Sequence, residues 1–331
     1  MDDSVRTPGR GAPHPRRGRT RIARRVAKAA ALVLFIIAAS AAGTAVYYYV
    51  SSAAVRDAVG ILVAGIDGPE EAFPGRDEID VLVMGRDVDR DRYGRIVDTH
   101  SRTDTIILAH IDFRSQGLNL LSIPRDTLVR IPEYRGKRRI SYANAYGGPE
   151  LARKTIFSFL GVQPDYYVLL SFDGFEKAID SIGGLEVEVD KQLDYDDNWG
   201  RLHIHLKPGR QTLNGEQAIG FVRYRRSNDG DAESDFVRIK RQHKVLKAAR
   251  ARLADPLVMF RMPKVVDMIN TDMESDLTPA QAACLVRFLR SLPESAIRMD
   301  TLPALEGGGV FVRADMDAAR ELVRAMFLDN P

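Results

Sequence analysis

The chain has almost no cysteine and almost no tryptophan, with one of each among its 331 residues. The single cysteine, Cys284, excludes an intrachain disulfide, and its apolar neighbours predict a buried thiol. The sequence also lacks internal repeats and a glycine-rich nucleotide-binding fingerprint, because its glycine pairs at 147–148 and 183–184 are predicted to serve turns. These absences exclude a disulfide-built scaffold and leave no glycine-rich loop for a nucleotide.

Clusters of metal-binding side chains are scarce as well. His203 and His205 share a face of a predicted strand, but no third ligand lies nearby in the sequence, so we interpret them as packing residues rather than as a zinc site. The acidic run 228–233 has no glutamate at the spacing of a calcium loop, and we interpret it as a solvated loop near the site.

An excess of basic charge is confined to the N-terminus. Residues 1–28 carry nine lysines and arginines against Asp2 and Asp3. The whole chain has a formal charge of +3 and this segment has +7, which leaves −4 for residues 29–331. Residues 29–331 therefore have no excess of basic charge with which to bind nucleic acid, and we expect no nucleic-acid partner.

An uncharged run at residues 29–50 follows the basic block. About 20 apolar residues cross a bilayer as a helix, so this run predicts one transmembrane helix. The basic tail 1–28 is then cytoplasmic, and the protein is a single-pass protein of the cell membrane. The alternative is a signal peptide cut near residues 39–41. Residues 51–78 are predicted to be a juxtamembrane linker, and residues 79–331 one extracytoplasmic domain.

Beyond residue 80, short apolar runs alternate with amphipathic ones. Strands are predicted at 81–84, 105–111, 118–123, 166–171 and 185–189, and helices at 149–160, 174–182 and 235–253. This alternation predicts an α/β fold, with helical layers on both sides of a central mixed sheet.

Carboxylates and guanidinium groups recur at the ends of these strands. Asp87 follows the first strand, Asp104 precedes the second, and Arg125 with Asp126 ends the third. In an antiparallel meander, Asp87, Asp104 and Arg125 lie at one end of the sheet, where ligands of α/β proteins commonly bind. Carboxylates for a divalent metal and arginines for phosphates suit a pyrophosphate with its cation. Taken singly, Asp104 equally fits a turn cap, and Arg125–Asp126 a local ion pair.

Two later segments add to this set. Arg223 and Arg225 are two residues apart and share a face if their segment is extended. Asp235, Arg238 and Gln242 form one stripe of the predicted helix 235–253, and Arg241 points off that stripe. Between helix and sheet, a set of apolar residues fits either a groove for a lipid tail or an ordinary core: Leu169, Leu170, Phe172, Phe175, Ile179 and Ile182.

Nine short segments, in this order and spacing, make the chain resemble the LytR-CpsA-Psr family of bacterial envelope proteins. They are VMGRD (83–87), RTDT (102–105), SIPRDT (122–127), AYGG (145–148), FDGF (172–175), GGLEV (183–187), LNGEQA (213–218), VRYR (222–225) and RIKRQ (238–242). A single N-terminal membrane anchor is also usual for this family.

The resemblance implies a function and a set of partners. Members of the family transfer a glycopolymer, such as teichoic acid, capsule or arabinogalactan, from a polyprenyl-pyrophosphate carrier to a peptidoglycan hydroxyl. A phosphodiester link results, so the implied partners are a lipid-linked donor, a peptidoglycan acceptor and membrane lipid. The implied cofactor is Mg²⁺, with Mn²⁺ as the alternative.

The resemblance also implies roles for individual residues. Asp87 and Asp104 match the magnesium ligands, and Asp235 matches an acidic site residue that orients an arginine or acts as a base. Asp126 is the second candidate for the base. Six residues match pyrophosphate-contacting positions, with Arg102 and Arg125 also expected in the chemistry: Arg102, Arg125, Arg223, Arg225, Arg238 and Gln242.

Two positions depart from the family pattern. Arg86 stands where the family usually has serine or threonine, and Ser141 stands where it has asparagine, while Arg139 keeps a basic group.

The sequence leaves two other functions open: a polyprenyl-pyrophosphate hydrolase that uses water as acceptor, and a polyprenyl-phosphate-binding or regulatory membrane protein without turnover.

Overall fold

The computed structural model describes residues 68–86, 101–197, 202–225, 227–228, 233, 235–261, 265, 268, 272–305 and 311–328. The predicted tail, the predicted membrane helix at 29–50 and most of the predicted linker therefore lie outside the described residues. Asp87 lies outside them too. Among the helices in the described ranges, none is long and apolar enough to cross a membrane.

A mixed sheet forms the centre of the fold. In chain order the strands are β1 (Glu78–Arg86), β2 (Thr103–Asp112), β3 (Gly117–Ser122), β4 (Leu128–Arg130), β5 (Lys137–Arg139), β6 (Tyr166–Ser171), β7 (Leu185–Val189), β8 (Leu193–Asp197), β9 (Leu202–Leu206), β10 (Gly209–Leu213), β11 (Met273–Ser275) and β12 (Ile297–Thr301). Six of them form one sheet in the order β11-β6-β1-β2-β3-β12. The others pair as the hairpin β4–β5, the hairpin β8–β9 and the pair β7–β10.

Strand directions in the central sheet are mixed. β1, β2 and β3 form the expected antiparallel meander, whereas β6 runs parallel to β1 and β12 runs parallel to β3. The prediction of an α/β fold with a central mixed sheet is thereby confirmed.

Helices cover both faces of this sheet. They are α1 (Pro69–Ala72), α2 (Tyr142–Leu160), α3 (Phe172–Ile182), α4 (Gly215–Arg223), α5 (Asp235–Ala254), α6 (Pro279–Ser291) and α7 (Met316–Val323). The described residues also include two short 3₁₀ segments, Pro256–Arg261 and Glu294–Ala296, and a π-helical turn, Arg324–Leu328.

Alternation along β1 shows how the two faces are covered. Leu82 and Met84 pack with α2 and α7 on one side, while Ile79 and Val81 pack with α6 on the other. Successive side chains of a strand point to opposite faces, so a strand buried on both sides reads as a nearly continuous apolar run. Cys284 of α6 is buried in the second of these cores, as its neighbours predict.

A third core lies beside the sheet. It joins α3, α4 and α5 to the pairs β7–β10 and β8–β9, and it buries Leu185, Leu213 and Phe221. α5 packs against both α4 and α6, so this core is tied to the sheet layers. Because α3 follows β6 directly, the third core is held at the end of the sheet where β6 finishes.

Local sequence signals account for several helix ends. Asn214 and Thr278 form capping boxes with Gln217 and Gln281 at the starts of α4 and α6, which satisfies backbone N–H groups that have no partner within a helix. α2 is broken at residues 147–148, where Gly148 has a φ of 66°. The helix predicted at 149–160 is therefore the second part of a longer element.

Candidate functional site

The strand ends predicted to carry the site do meet at one edge of the central sheet. β1 ends there at Arg86, β2 begins there at Thr103, and β3 ends there at Ser122. Gly85 pairs with Thr105 and Arg86 pairs with Thr103, so Asp104 is the extra residue of a β-bulge. Bulges redirect side chains and are frequent beside active sites.

A chain of alternating charges starts at this bulge. Arg125 Nη1 donates a hydrogen bond to Asp104 Oδ1. Arg125 Nε lies 3.4 Å from Asp126 Oδ2, and Asp126 Oδ1 lies 3.2 Å from Arg139 Nε. Arg139 also lies over the ring of Phe311, 5.0 Å from its centroid. The local ion pair considered for Arg125 and Asp126 is thus present, within a larger network.

A cleft of about 440 Å³ opens beside Asp104. Its walls come from β2, the turn after β3, the start of α3, the β8–β9 hairpin, the end of α4 and the face of α5. Six of its lining residues are predicted site residues: Asp104, Arg125, Arg223, Arg225, Arg238 and Gln242. Four guanidinium groups around one cleft make it suited to a polyanion.

A smaller cavity of about 130 Å³ shares Asp104 and Arg125 with the cleft. Arg102, Asp126 and Arg139 also line it. Asp104 and Arg125 therefore stand between two compartments. The larger one is rich in arginine and apolar groups, and the smaller one is lined almost entirely by polar side chains.

Arg223 and Arg225 reach the cleft from the end of a helix rather than from an extended segment. Residues 215–223 form α4, so Arg223 ends a helix and Tyr224 is its C-cap. The extended segment is therefore not found, because the Asn214 capping box and the buried Phe221 commit residues 215–223 to a helix. Arg223 and Arg225 nevertheless line the same cleft. The Arg223 guanidinium carbon lies 4.5 Å from the ring centroid of Phe172, a cation–π contact.

A buried ion pair fixes the turn that carries these arginines. Arg241 Nη1 donates to the carbonyl of Tyr224 at 3.1 Å, and Arg241 Nη2 donates to Glu233. The backbone N–H of Glu233 donates to the carbonyl of Arg225 at 2.7 Å. Lys191 Nζ lies 2.8 Å from the carboxylate of Glu233. Burial alone raises the pKa of Glu233, but the hydrogen bonds from Arg241 and Lys191 outweigh it and hold that pKa below its ordinary value.

This ion pair corrects the expectation for the acidic run. Arg241 points off the stripe of α5, as predicted, and into the protein, where only 5% of the residue is exposed. Glu233, expected within a solvated loop, is instead tied to the fold by Arg241. The sequence did not indicate this ion pair, because neither Glu233 nor Arg241 lies in an unusual local pattern. Each gains its role only from contact with the other.

Two residues of the predicted α5 stripe line the cleft. Arg238 is buried and lines the cleft, and Gln242 Nε2 donates to the Thr105 hydroxyl at 3.1 Å. α5 begins at Asp235, whose side chain lies outside the described structure. His243, the residue after Gln242, lies with its Nε2 2.9 Å from the Ser122 hydroxyl. Burial lowers the pKa of this histidine.

The residues of the cleft fit a magnesium ion that brings phosphate and water oxygens with it. Asp104 and Asp197 both line the cleft. Mg²⁺ commonly takes one or two carboxylates together with phosphate oxygens and water. Within the described ranges, no group of three or more His, Cys, Asp or Glu side chains could hold a metal alone. The donor set therefore suits a cation shared with a phosphate rather than a closed protein site.

Sequence reasoning missed the contribution of the β8–β9 hairpin. Tyr195, Asp197 and Leu202 line the cleft from this hairpin. Tyr195 and Asp197 are two residues apart on β8, so strand alternation would have placed them together on one face. No pattern in the sequence indicated that this face turns towards the arginines.

The outer face of the same hairpin carries the two histidines. His203 Nδ1 lies 2.6 Å from Asp196, and His205 Nδ1 lies 2.5 Å from Asp194. Both histidines are about half exposed, so the interpretation as packing residues is wrong. The hydrogen bond to Asp194 raises the pKa of His205.

Two other sequence observations find their places. Arg86, the departure from serine or threonine, lies 3.6 Å from Glu274 on β11. Of the apolar residues considered for a lipid groove, Leu169, Ile179 and Ile182 are buried in cores, whereas Phe172 lines the cleft. Phe172 is therefore, together with Val222, part of the apolar wall of the cleft.

Comparison with known proteins places the chain among bacterial relatives. A family model described as the LytR_cpsA_psr family matches residues 40–321. The regulatory protein MsrR of Staphylococcus aureus (strain COL) is 35% identical over 193 residues, a match that covers 58% of this chain and 54% of MsrR. The chain thus spans about half the length of that relative.

Two proteins of Bacillus subtilis are also similar. The polyisoprenyl-teichoic acid–peptidoglycan teichoic acid transferase TagT (strain 168) is 32% identical over 225 residues, and the match covers 67% of each chain. The crystal structure of TagV superimposes with a TM-score of 0.62 at 25% identity, covering 77% of this chain and 99% of the TagV chain.

Proposed function

Because the chain belongs to the LytR_cpsA_psr family, we propose that it transfers a glycopolymer from a polyprenyl-pyrophosphate carrier to a peptidoglycan hydroxyl. The product is a phosphodiester link. The observation that carries this proposal is the cleft itself, where one carboxylate at a β-bulge lies among the four arginines Arg125, Arg223, Arg225 and Arg238. The name of the similar TagT, a teichoic acid transferase acting between a polyisoprenyl carrier and peptidoglycan, supports the same reaction class.

The arginines supply what attack on a pyrophosphate requires. Nucleophilic attack at phosphorus is opposed by the negative charge of the phosphate oxygens, and preorganised cations lower this barrier electrostatically. The turn around Tyr224 fixes the backbone that carries Arg223 and Arg225. The side chain of Arg223 lies over the ring of Phe172, and Arg125 is held by Asp104 and Asp126. Little of the binding energy is then spent on ordering the side chains of Arg125 and Arg223.

Asp104, with Asp87 as its predicted partner, would hold Mg²⁺ or Mn²⁺ on the pyrophosphate. Such an ion neutralises phosphate oxygens and orients them. In this arrangement Asp104 has two tasks, because the same carboxylate also accepts the hydrogen bond from Arg125. Asp104 therefore links the position of a phosphate-binding arginine to the position of the cation.

The acceptor hydroxyl would approach from the smaller compartment. Arg102, Asp126 and Arg139 line that compartment. Each oxygen of Asp126 lies near a guanidinium group, at 3.4 Å and 3.2 Å, which favours a role in holding Arg125 and Arg139. Asp235, whose family position is that of a residue that orients an arginine or acts as a base, then stays a candidate for the base.

We place the reaction at the outer face of the cell membrane. The uncharged run 29–50 would anchor the chain, with residues 1–28 in the cytoplasm, and the apolar residues Phe172 and Val222 would meet the start of the lipid tail. Lipid-linked pyrophosphates are available on that side of the membrane, which agrees with the chemistry of the cleft.

The test supplies a lipid-linked donor to the full chain with Mg²⁺, with and without peptidoglycan. We expect polymer to become attached to peptidoglycan, and Arg125→Ala to lower the rate by about 10²–10³-fold, as for loss of a preorganised charge donor. Arg287→Ala, on the exposed surface of α6, is the matched control. Release of free polymer without attachment to peptidoglycan would show that the protein is a hydrolase and not a transferase.

One comparison favours a second candidate. MsrR is named a regulatory protein, which suits a polyprenyl-phosphate-binding or regulatory role without turnover. This role predicts donor binding with neither attachment nor release in the same assay, and binding that is lost in Arg125→Ala.

A further inference from the structure

A second groove opens on the sheet face covered by α2 and α7. Its volume is about 620 Å³, and it is bounded by the β4–β5 hairpin, the end of α2, Leu305, residues 313–314 and the start of α7. Apolar side chains form its floor, among them Leu128, Phe159 and Met316, and Leu305 is exposed beside them. No part of the reaction described above uses this groove.

Among the described residues that line the groove, the charged ones are all basic: Arg130, Lys137, Arg313 and Arg320. All four are exposed. Arg320 lies 3.2 Å from Asp317. For the other three, the described part of the chain provides no carboxylate within ion-pair distance. Exposed cations over an apolar floor fit a ligand that has both anionic groups and apolar sugar faces.

The β4–β5 hairpin connects this groove to the candidate site. Lys137 and Arg139 are two residues apart on β5, so they share a face and lie about 6.6 Å apart along the strand. Arg139 lines the smaller compartment beside Asp126, whereas Lys137 lines the groove. Arg130 is the cross-strand partner of Lys137, and Leu128 that of Arg139. One face of the hairpin therefore carries a basic track from the site into the groove.

We propose that this track binds the peptidoglycan strand that accepts the polymer, an inference that rests on the proposed transfer function. An in-line phosphoryl transfer brings the nucleophile in opposite the leaving group. With the lipid pyrophosphate in the arginine-rich cleft, the nucleophile enters through the compartment of Asp126 and Arg139, where the track begins. Peptidoglycan is a glycan whose peptide branches end in carboxylates, so its charge complements the track.

The test measures two kinds of binding by the full chain. Co-sedimentation with insoluble peptidoglycan stripped of teichoic acid reports the acceptor, and titration with farnesyl pyrophosphate in Mg²⁺ reports the donor site. In Lys137→Glu/Arg313→Glu, we expect peptidoglycan binding to weaken by about tenfold, the sum of two lost surface ion pairs and the added repulsion. Farnesyl pyrophosphate binding stays unchanged, which also shows that this variant is folded.

The control variant, Lys207→Glu/Arg287→Glu, makes the same change in charge on exposed side chains away from the groove. It is expected to bind both probes as the unaltered chain does. If the groove variant sediments like this control, the proposal is wrong. It is also wrong if the groove variant loses binding to soluble poly(glycerol phosphate) alone, because the groove would then hold the donor polymer. Failure of the unaltered chain to bind farnesyl pyrophosphate would instead reject the proposed function.

Discussion

Replacing Glu233 by glutamine is expected to destabilise the fold and to weaken pyrophosphate binding at the same time. The side chains of Glu233 and Arg241 are 11% and 7% exposed, so the substitution leaves a buried guanidinium without its carboxylate. Losing one partner of a buried ion pair costs about 3–5 kcal/mol. We expect the lower end, because the glutamine oxygen and the Tyr224 carbonyl still accept from Arg241. A loss of about 3 kcal/mol lowers Tm by roughly 6–12 °C in a domain of this size.

The assay combines thermal unfolding with titration of inorganic pyrophosphate in Mg²⁺. The Glu233 carboxylate positions Arg241, which donates to the carbonyl of Tyr224. Because the substitution weakens this support of the turn at 224–225, we expect pyrophosphate affinity to fall by about tenfold, or ~1.4 kcal/mol. The control is Glu216→Gln, which removes an exposed carboxylate from α4. A Glu233→Gln variant that melts and binds like this control would refute the reasoning.

The pH dependence offers a second readout of the same pair. The folded state lowers the pKa of Glu233, so the carboxylate contributes stability above its unfolded pKa of about 4.3. That contribution is lost as the pH falls through the lower, folded pKa. The unaltered chain should therefore lose stability more steeply in acid than Glu233→Gln.

Two further substitutions test the packing around the site. His243 is kept neutral by burial, so its unfolded form takes up a proton first, and stability falls as the pH drops below about 6.5. Urea unfolding of His243→Gln should show a smaller loss over that range than the unaltered chain, and equal losses would contradict this. Gly215→Ala places a Cβ 2.2 Å from the Glu176 carbonyl oxygen and should cost about 1–3 kcal/mol. Gly68→Ala, with open space around it, should cost little.

Much of the sheet could be predicted because its strands are buried on both faces. Apolar runs such as residues 81–84 and 105–111 indicate strands whatever lies next to them, and the short turn between β2 and β3 forces those two strands to be antiparallel. The same meander placed Asp104 and Arg125 at one edge of the sheet, where the structure has them. The bulge that redirects Asp104 was not predictable, since it depends on the register between β1 and β2.

The rest of the site depends on contacts between distant segments. From their apolar residues alone, residues 215–223 fit either a helix or a strand. The Asn214 capping box, visible as Asn-x-x-Gln in the sequence, was the available signal for a helix. Glu233 and Arg241 gain their roles only by meeting each other. Asp197 faces the cleft because the β8–β9 hairpin packs in the third core, which no local pattern reveals.

A crystal structure of the chain with farnesyl pyrophosphate and Mg²⁺ tests the central claim most directly. We expect the two phosphates to lie in the cleft, within hydrogen-bond distance of Arg125 and Arg223, with the cation on Asp104. Pyrophosphate bound elsewhere, with the Asp104 cleft holding only solvent, would contradict the account.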